Sequence, residues 1–481
     1  MTSLDSNQTI AAATNSLVSG TTPVLQGKMT SWELLCSVLA FAAPVTSVSS
    51  LIPFVVQGGG IGAPVTILGA MVLMLVFSVG FLAMTGKVTK PGAFYAYVME
   101  GCGVKMGQGA AFVAVFGYFT LGLCTAALLG PTISSFASEV LAVKDIPWYI
   151  GSALAISLSG LLSYLRIDLS AKVLTVAMFV EVTIVLLFDI VIPVSDKSPS
   201  ISFQPLSPSH FFDGNFTVAF LYAIIIFIGF ESTAIYRDEV KNPQVVIPRV
   251  TYIAVVFIGV FYALSAWMTI AAFGDVAAVA AAKDDAANMF MLAMNNYVGK
   301  VGVDATKGIL ILSAFASLLS LHNVLARYIY SLSRNGAIPA LLGKTHAVHK
   351  SPYVGSLACT LGWAVVLMML LGSDPSTLYA KIGGVGTYAV LILMLLTSFS
   401  VIMYFWRRRS FGFQTFWSPL IAFAGLLAFT VLTTFNFQYL IGGERGDGVW
   451  LQLLILGMFF YGYFMASAQE RKRTTPLDNI A

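Results

Sequence analysis

Stretches of about 20 mostly apolar residues, long enough for a helix to cross a bilayer, recur along this whole chain. Twelve can be marked out, at 32–56, 64–84, 108–136, 147–165, 170–194, 215–235, 249–273, 306–332, 354–371, 378–405, 416–435 and 449–467. The chain is 58% hydrophobic and 10% charged, whereas soluble domains carry about 25% charged residues. So much apolar surface belongs in lipid, where a helix satisfies every backbone group within itself. The expected fold class is an all-α polytopic membrane protein with twelve transmembrane helices, its partner the lipid bilayer.

The net charge of +4 then reports sidedness, and no nucleic-acid partner is expected. Residues 1–30 are rich in Ser, Thr, Asn and Gln and lack a basic stretch followed by a short apolar one. They read as a disordered cytoplasmic tail, not a cleaved signal. With that tail inside and the sides alternating, most of the 26 Lys and Arg residues fall on the inner face, as the positive-inside rule demands. These include Arg407-Arg408-Arg409, a lipid anchor, and Arg471-Lys472-Arg473 of a cytoplasmic C-terminal tail at 468–481. Both termini are thus placed in the cytoplasm of a cell bounded by this plasma membrane (the inner membrane in a bacterium). In the long outer loop at 274–305, residues 287–298 place apolar positions at helical spacing and predict a short surface helix.

Cys36, Cys102, Cys124 and Cys359 lack pairing or ligand spacing and read as small packing residues. Of four histidines only His322 lies in an apolar run, so no haem, metal or other cofactor is expected. There is no GxxxxGK[ST] motif for ATP-driven pumping and no nucleophile–base pair, so the chain is not expected to be an enzyme.

Two of the spans are interrupted. The sixth breaks at Gly229-Phe230-Glu231-Ser232-Thr233 and leaves as a charged segment punctuated by Pro243 and Pro248; the first carries Ala42-Ala43-Pro44-Val45-Thr46-Ser47 at its midpoint. Pro44 removes an amide donor and crowds the preceding turn. Five spans separate the two breaks, so a second five-helix block would enter the membrane from the opposite side. Paired interruptions in the first helices of inverted repeats point to a transporter site. The repeats are read as 31–200 and 211–409, a core at 31–409, with helices 11 and 12 at 410–467.

Gly229-Phe230-Glu231-Ser232, Asp238-Glu239-Val240-Lys241-Asn242-Pro243 and Ile247-Pro248-Arg249 together resemble the sixth-helix signature of the amino acid–polyamine–organocation (APC) superfamily. Lys90-Pro91-Gly92-Ala93-Phe94-Tyr95-Ala96-Tyr97 resembles its third-span motif. Ala326-Arg327-Tyr328-Ile329-Tyr330 through Ser333-Arg334-Asn335-Gly336-Ala337-Ile338-Pro339 resembles the end of its eighth span. One departure is that many members carry a Gly-Ser-Gly type run where this chain has Pro44-Val45-Thr46-Ser47-Val48.

The helix ends suggest a chemistry of their own. Amides of Val45, Thr46, Ser47, Val48 and Ser49 begin the second half of the first helix, a positive dipole end suited to a carboxylate. Carbonyls of Phe227, Ile228 and Phe230, around Gly229, suit an ammonium group. Together they form a clamp for an α-amino acid, an arrangement the resemblance also implies. In arginine/agmatine exchangers of the family a tryptophan stands one turn before the sixth-helix glycine; Ile225 holds that place here, which favours a neutral or small substrate.

Glu231 reads either as a ligand for a cationic substrate or, preferably, as a brace accepting hydrogen bonds from freed amides. Glu181 lies about 13 Å into its span, where a carboxyl group should keep its proton unless paired. Proton-coupled family members often carry a lysine near this place, close to helices one and eight. Glu181 is therefore read as an H⁺ carrier, as a structural hydrogen-bonding group, or, with Ser313, Ser317 and Ser320, as a Na⁺ site of hard oxygens. Asp189, nearer the outer end, is expected to reach water. His322 is a packing residue or a relay. Arg327, Arg334, Asp238 and Glu239 fall at the inner surface, as gate-closing ion pairs or as solvated charges. The expected function is secondary active amino acid uptake by alternating access, proton-coupled, in a monomer or homodimer. An amino acid/amine exchanger or a polyamine importer is the alternative, ahead of a non-transporting nutrient receptor.

Overall fold

The computed structural model describes residues 29–88, 92–143, 146–165, 167–197, 199, 201–346, 351–444 and 446–474, with the side chains of 165–170 and 471–474 excepted. Most of the two tails, Lys90-Pro91 of the third-span motif and the side chains of Arg471-Lys472-Arg473 lie outside this description. The described residues are helical almost throughout. The isolated Met29–Val240 bridge is their one extended pairing.

Ten helical stretches are long and apolar enough to cross a membrane, and this is a multi-pass membrane protein. Two of the twelve expected spans fall outside that set: Tyr353–Met369 has 17 residues and Trp148–Leu165 has 18. In chain order, α1 (Ser31–Phe41), α2 (Pro44–Ser50) and α3 (Ile52–Gly59) make up the broken first span. They are followed by α4 (Ala63–Thr85), α5 (Ala93–Cys102), α6 (Val104–Glu139), α7 (Trp148–Leu165) and α8 (Ile167–Val194). The second half runs through α9 (Phe216–Ile225), α10 (Pro243–Phe273), α11 (Asp275–Asp285), α12 (Met289–Tyr297) and α13 (Lys300–Arg334). It closes with α14 (Tyr353–Met369), α15 (Pro375–Arg407), α16 (Ser418–Phe435), α17 (Phe437–Ile441) and α18 (Val449–Thr474).

α1 starts at a capping box: the Thr30 hydroxyl accepts from the Glu33 amide at 3.2 Å, and the Thr30 amide donates to Glu33 at 2.8 Å. α6 is the central strut, packed against α15, α18, α13 and α7. Its glycines and alanines let these neighbours approach closely; Trp363 of α14 sits against it, donating to the Phe119 carbonyl at 2.9 Å. α8 packs on α1, α10 and α13, and α4 on α10. Large apolar side chains on α7, α8, α16 and α18, such as Leu154, Ile190, Phe435 and Phe464, are exposed and form the lipid-facing surface.

The short helix expected within 287–298 is α12; α11, ahead of it, and α5, within the third-span motif, were not anticipated. α10 starts six residues earlier than hydropathy alone suggests, with Pro243 in its first turn, where an amide is unneeded. Pro248 lies inside it and forfeits one backbone bond instead of ending it. Asp189, expected to reach water, is 5% exposed and accepts from Ser265 of α10 at 2.9 Å. α10 covers α8 at that height.

The bundle is sealed at the end that carries Met29. Arg327 of α13 donates through Nε to Glu239 Oε1 at 2.5 Å and through Nη2 to Oε2 at 2.9 Å, while its Nη1 reaches the Asn323 carbonyl at 2.7 Å. Both ion-pair side chains are 4% exposed, and the Tyr236 ring lies 4.6 Å from the guanidinium carbon. The Met29 amide donates to the Glu239 carbonyl at 3.0 Å, and Arg237 reaches the Thr85 carbonyl at 2.7 Å. Removing one member of a buried pair strands the other charge. Arg327→Met should therefore lower stability by about 3–5 kcal/mol, and the Arg327→Met/Glu239→Leu double variant should recover much of that loss. Thermal unfolding in detergent would read this; equal losses in the single and double variants would contradict it.

Candidate functional site

The first break is an alanine in a glycine's conformation. Ala43 has φ 45, a left-handed geometry that costs about 1–2 kcal/mol without glycine. Pro44 then begins α2, where its missing amide leaves nothing unsatisfied. The carbonyls freed from α1 are taken up by other helices. Ser317 donates to the Phe41 carbonyl at 3.1 Å and Tyr262 to that of Ala42 at 3.0 Å, while Ser320 adds a bond to the Ser37 carbonyl one turn earlier, at 3.1 Å. Ser47 also donates to the Ala42 carbonyl, at 2.7 Å.

The amides of α2 are partnered too. Val45 donates to Glu181 Oε2 at 3.4 Å and Thr46 to the Ser313 hydroxyl at 3.2 Å. Ser313 in turn donates to Glu181 Oε2 at 2.5 Å and lies 3.0 Å from the Thr46 hydroxyl. Glu181 is 0% exposed, and its Oε1 has no partner. Among the described residues no Lys or Arg pairs with it.

The second break mirrors the first. α9 ends at Ile225, Gly229 has φ 118, and Phe230–Ala234 forms a short tight helix. Here glycine is required twice, since a Cβ would also collide with the Phe41 ring. Glu231 bridges this break, accepting the Gly229 amide at 2.9 Å on Oε2 and the Tyr118 hydroxyl at 2.6 Å on Oε1. Ser232 donates to the Gly229 carbonyl at 2.6 Å.

Between the breaks lies a cavity of ≈ 630 Å³. It runs from Phe41, Thr46, Ser47 and Ile228 toward the end of the bundle that carries Ala287, Pro375 and Tyr439. None of the residues that seal the Met29 end lines it. Thr46, Ser47, Ile225, Ile228 and Ser317 of the expected site form part of its wall; Val45, Val48, Ser49, Phe227, Gly229, Phe230, Glu181, Glu231, Ser313 and Ser320 stand behind it. His322 is further off, on the α13–α14 interface, with Nε2 2.9 Å from the Thr360 hydroxyl and its ring edge-on to Trp363.

Two further walls escaped the sequence reading. α6 contributes Leu121, Cys124, Thr125, Leu128 and Thr132, and α15 contributes Ser376, Tyr379, Ala380, Gly383 and Thr387. Each set recurs every three to four residues, the stripe of one helix face. Small and hydroxylic residues repeating at that period were the available signal. Among the described residues no Asp, Glu, Lys, Arg or His lines the cavity. Whatever enters must find any charge it carries met by backbone dipoles and hydroxyls.

Comparison with known proteins agrees with this architecture. The family model "Amino acid permease" matches residues 32–460. Over 241 residues the chain is 29% identical to the branched-chain amino acid permease BcaP of Bacillus subtilis (strain 168), covering 48% of this chain and 47% of that protein. It thus spans about half the length of that relative. It is 24% identical over 362 residues to the uncharacterized amino acid permease YecA of the same organism, covering 74% of this chain and 80% of YecA. With two facing helix breaks around an uncharged cavity and a match along nearly its whole length, the chain belongs to the amino acid permease family of the APC superfamily.

Proposed function

We propose that this protein is a secondary active transporter that takes up a neutral, apolar amino acid by alternating access and couples uptake to protons. The observation that carries the reading is the uncharged cavity bounded by both helix breaks. Such a site reads the ammonium and carboxylate that all α-amino acids share through backbone dipoles, and leaves an extra charge on the side chain without a partner. A volume of ≈ 630 Å³ is ample for an amino acid with some water. The similarity to BcaP, a branched-chain amino acid permease by name, points the same way. Among the described residues the cavity wall carries no carboxylate for a polyamine, so that alternative has less support.

Ten of the helices would belong to two inverted five-helix repeats whose first members are the broken ones. The lysine- and arginine-rich side would be the cytoplasm, so the Met29 end is the inner end. The cavity then faces outward, and Arg327–Glu239 is the shut inner gate. For the inner end to open, that pair must part.

Glu181 is the coupling group. An ionised carboxylate buried with no cation beside it is costly, so its charge has to be neutralised by a proton or countered by a bound cation. Either event alters its hold on Val45 and Ser313, hence on the start of α2 beside the cavity. Unpartnered Oε1 is the place for a proton. Sodium would need several oxygens and would draw on Ser313 and its neighbours. Glu231 acts as the brace of the second break.

Uptake into proteoliposomes tests the reading. Wild-type protein should accumulate neutral amino acids under an inward proton gradient. Glu181→Gln should lose accumulation by at least about tenfold while still exchanging labelled for unlabelled substrate across the membrane. Accumulation that follows an imposed Na⁺ gradient instead would reassign the coupling ion, and unchanged gradient-driven uptake by Glu181→Gln would remove Glu181 from the mechanism. At the site itself, Ser47→Leu should abolish substrate-induced thermal stabilisation at equal expression. Glu231→Gln should weaken uptake of all amino acids alike, as expected of a brace; selective loss of basic ones would make it a substrate ligand.

A further inference from the structure

Behind one wall of the main cavity lies a second, smaller void of ≈ 10 Å³, room for about one water. Ile225, Ile228, Thr387 and Leu440 line both spaces, so these four residues form the partition between them. The void is otherwise surrounded by apolar groups such as Leu221, Val390, Met394 and Phe429.

Two members of the partition, Ile225 and Ile228, flank the turn into the second break, beside the backbone that would hold the substrate's ammonium. A side chain anchored there has this partition within reach. Leu440 comes from elsewhere, from α17 between the last two spans, outside the ten helices of the transport core.

α17 is held firmly. The Tyr222 hydroxyl of α9 donates to the Tyr439 carbonyl at 3.2 Å, and Tyr222 itself stacks on Phe54 of α3 with centroids 5.1 Å apart. Tyr388 of α15 meets Phe437 edge-on at 5.2 Å and lies 2.6 Å from the Thr434 hydroxyl. Gly384 lets α15 and α17 touch: a Cβ there would stand 2.6 Å from the Leu440 carbonyl oxygen. The chain then turns away at Gly442, with φ 62. Leu440 is thus fixed against the cavity from three directions.

We propose that Leu440 is a specificity-determining residue, the removable panel that limits how far a substrate side chain lodged beside Ile225 and Ile228 can extend. This rests on the reading of the cavity as the amino acid site. Shortening Leu440 joins the void to the cavity and lengthens the side-chain pocket; enlarging it thickens the partition.

The test compares uptake of alanine, leucine and phenylalanine by wild-type protein, Leu440→Ala, Leu440→Phe and Gly384→Ala, all at matched expression. Leu440→Ala should raise the phenylalanine-to-alanine ratio of uptake efficiencies about tenfold, the scale at which one or two methylenes are discriminated in an apolar pocket. Leu440→Phe should lower it, with alanine uptake retained. Gly384→Ala, which pushes the Leu440 backbone without altering its side chain, should also move the ratio and covers the case in which Leu440→Ala fails to fold. Ratios that stay within twofold of wild type in every folded variant, while wild-type uptake remains sensitive to Ser47→Leu, would overturn this inference alone. Wild-type protein that neither binds nor carries any of the three would overturn the functional reading and this inference with it.

Discussion

A helix interrupted at mid-membrane bares amides and carbonyls that lipid cannot solvate, and here those groups are met by side chains, mainly from other helices at the first interruption and from its own turn at the second. α13 supplies Ser313, Ser317 and Ser320, α10 supplies Tyr262, α8 supplies Glu181 and α6 supplies Tyr118. The arrangement of helices follows from that need. α8, α10 and α13 crowd the first break because its backbone has to be answered from three sides. Glu231 closes the second from within its own turn, with one outside contact from α6. The breaks are therefore local defects only when viewed along one helix. Across helices they are tied together by hydrogen bonds from several neighbouring side chains.

This dense bonding also separates what is held from what is left open. Of the expected clamp amides, those of Val45 and Thr46 are already engaged by Glu181 and Ser313. The cavity side of the first break is presented by Thr46, Ser47 and the α1 end instead. In the proposed mechanism the proton-binding carboxyl of Glu181 and the substrate-facing surface would sit on opposite sides of α2, the first behind the wall and the second in it. Under the proposed mechanism, a change at Glu181 is felt by substrate without the two ever touching.

Much of this could be read from the sequence, for reasons that differ by feature. Spans were legible because lipid imposes a length on apolar runs, and the breaks because Pro44 and Gly229 are residues whose backbone demands are local. The limits came where position depends on a neighbour. Asp189 is buried because α10 happens to cover it, which hydropathy along α8 cannot register. Pro248 reads as punctuation ahead of the seventh span, yet α10 absorbs it near its first turn. α6 and α15 were recognised as spans, but their cavity faces consist of small and hydroxylic residues that resemble ordinary helix-packing positions. Leu440 had no local signal at all; its role follows from the close approach that Gly384 permits.

The pair that seals the Met29 end has a consequence for how the molecule changes shape. In a dry environment the attraction between Arg327 and Glu239 is strong, and it weakens severalfold once water raises the local dielectric. The first water to enter therefore undermines the contact that excluded it, while a slight separation without water gains nothing in return. If this end opens as proposed, it would act as a bistable element, dry and closed or wetted and wide, with the halfway state disfavoured. In a barrier that stores an ion gradient, the want of a resting half-open form would itself be a safeguard against leakage.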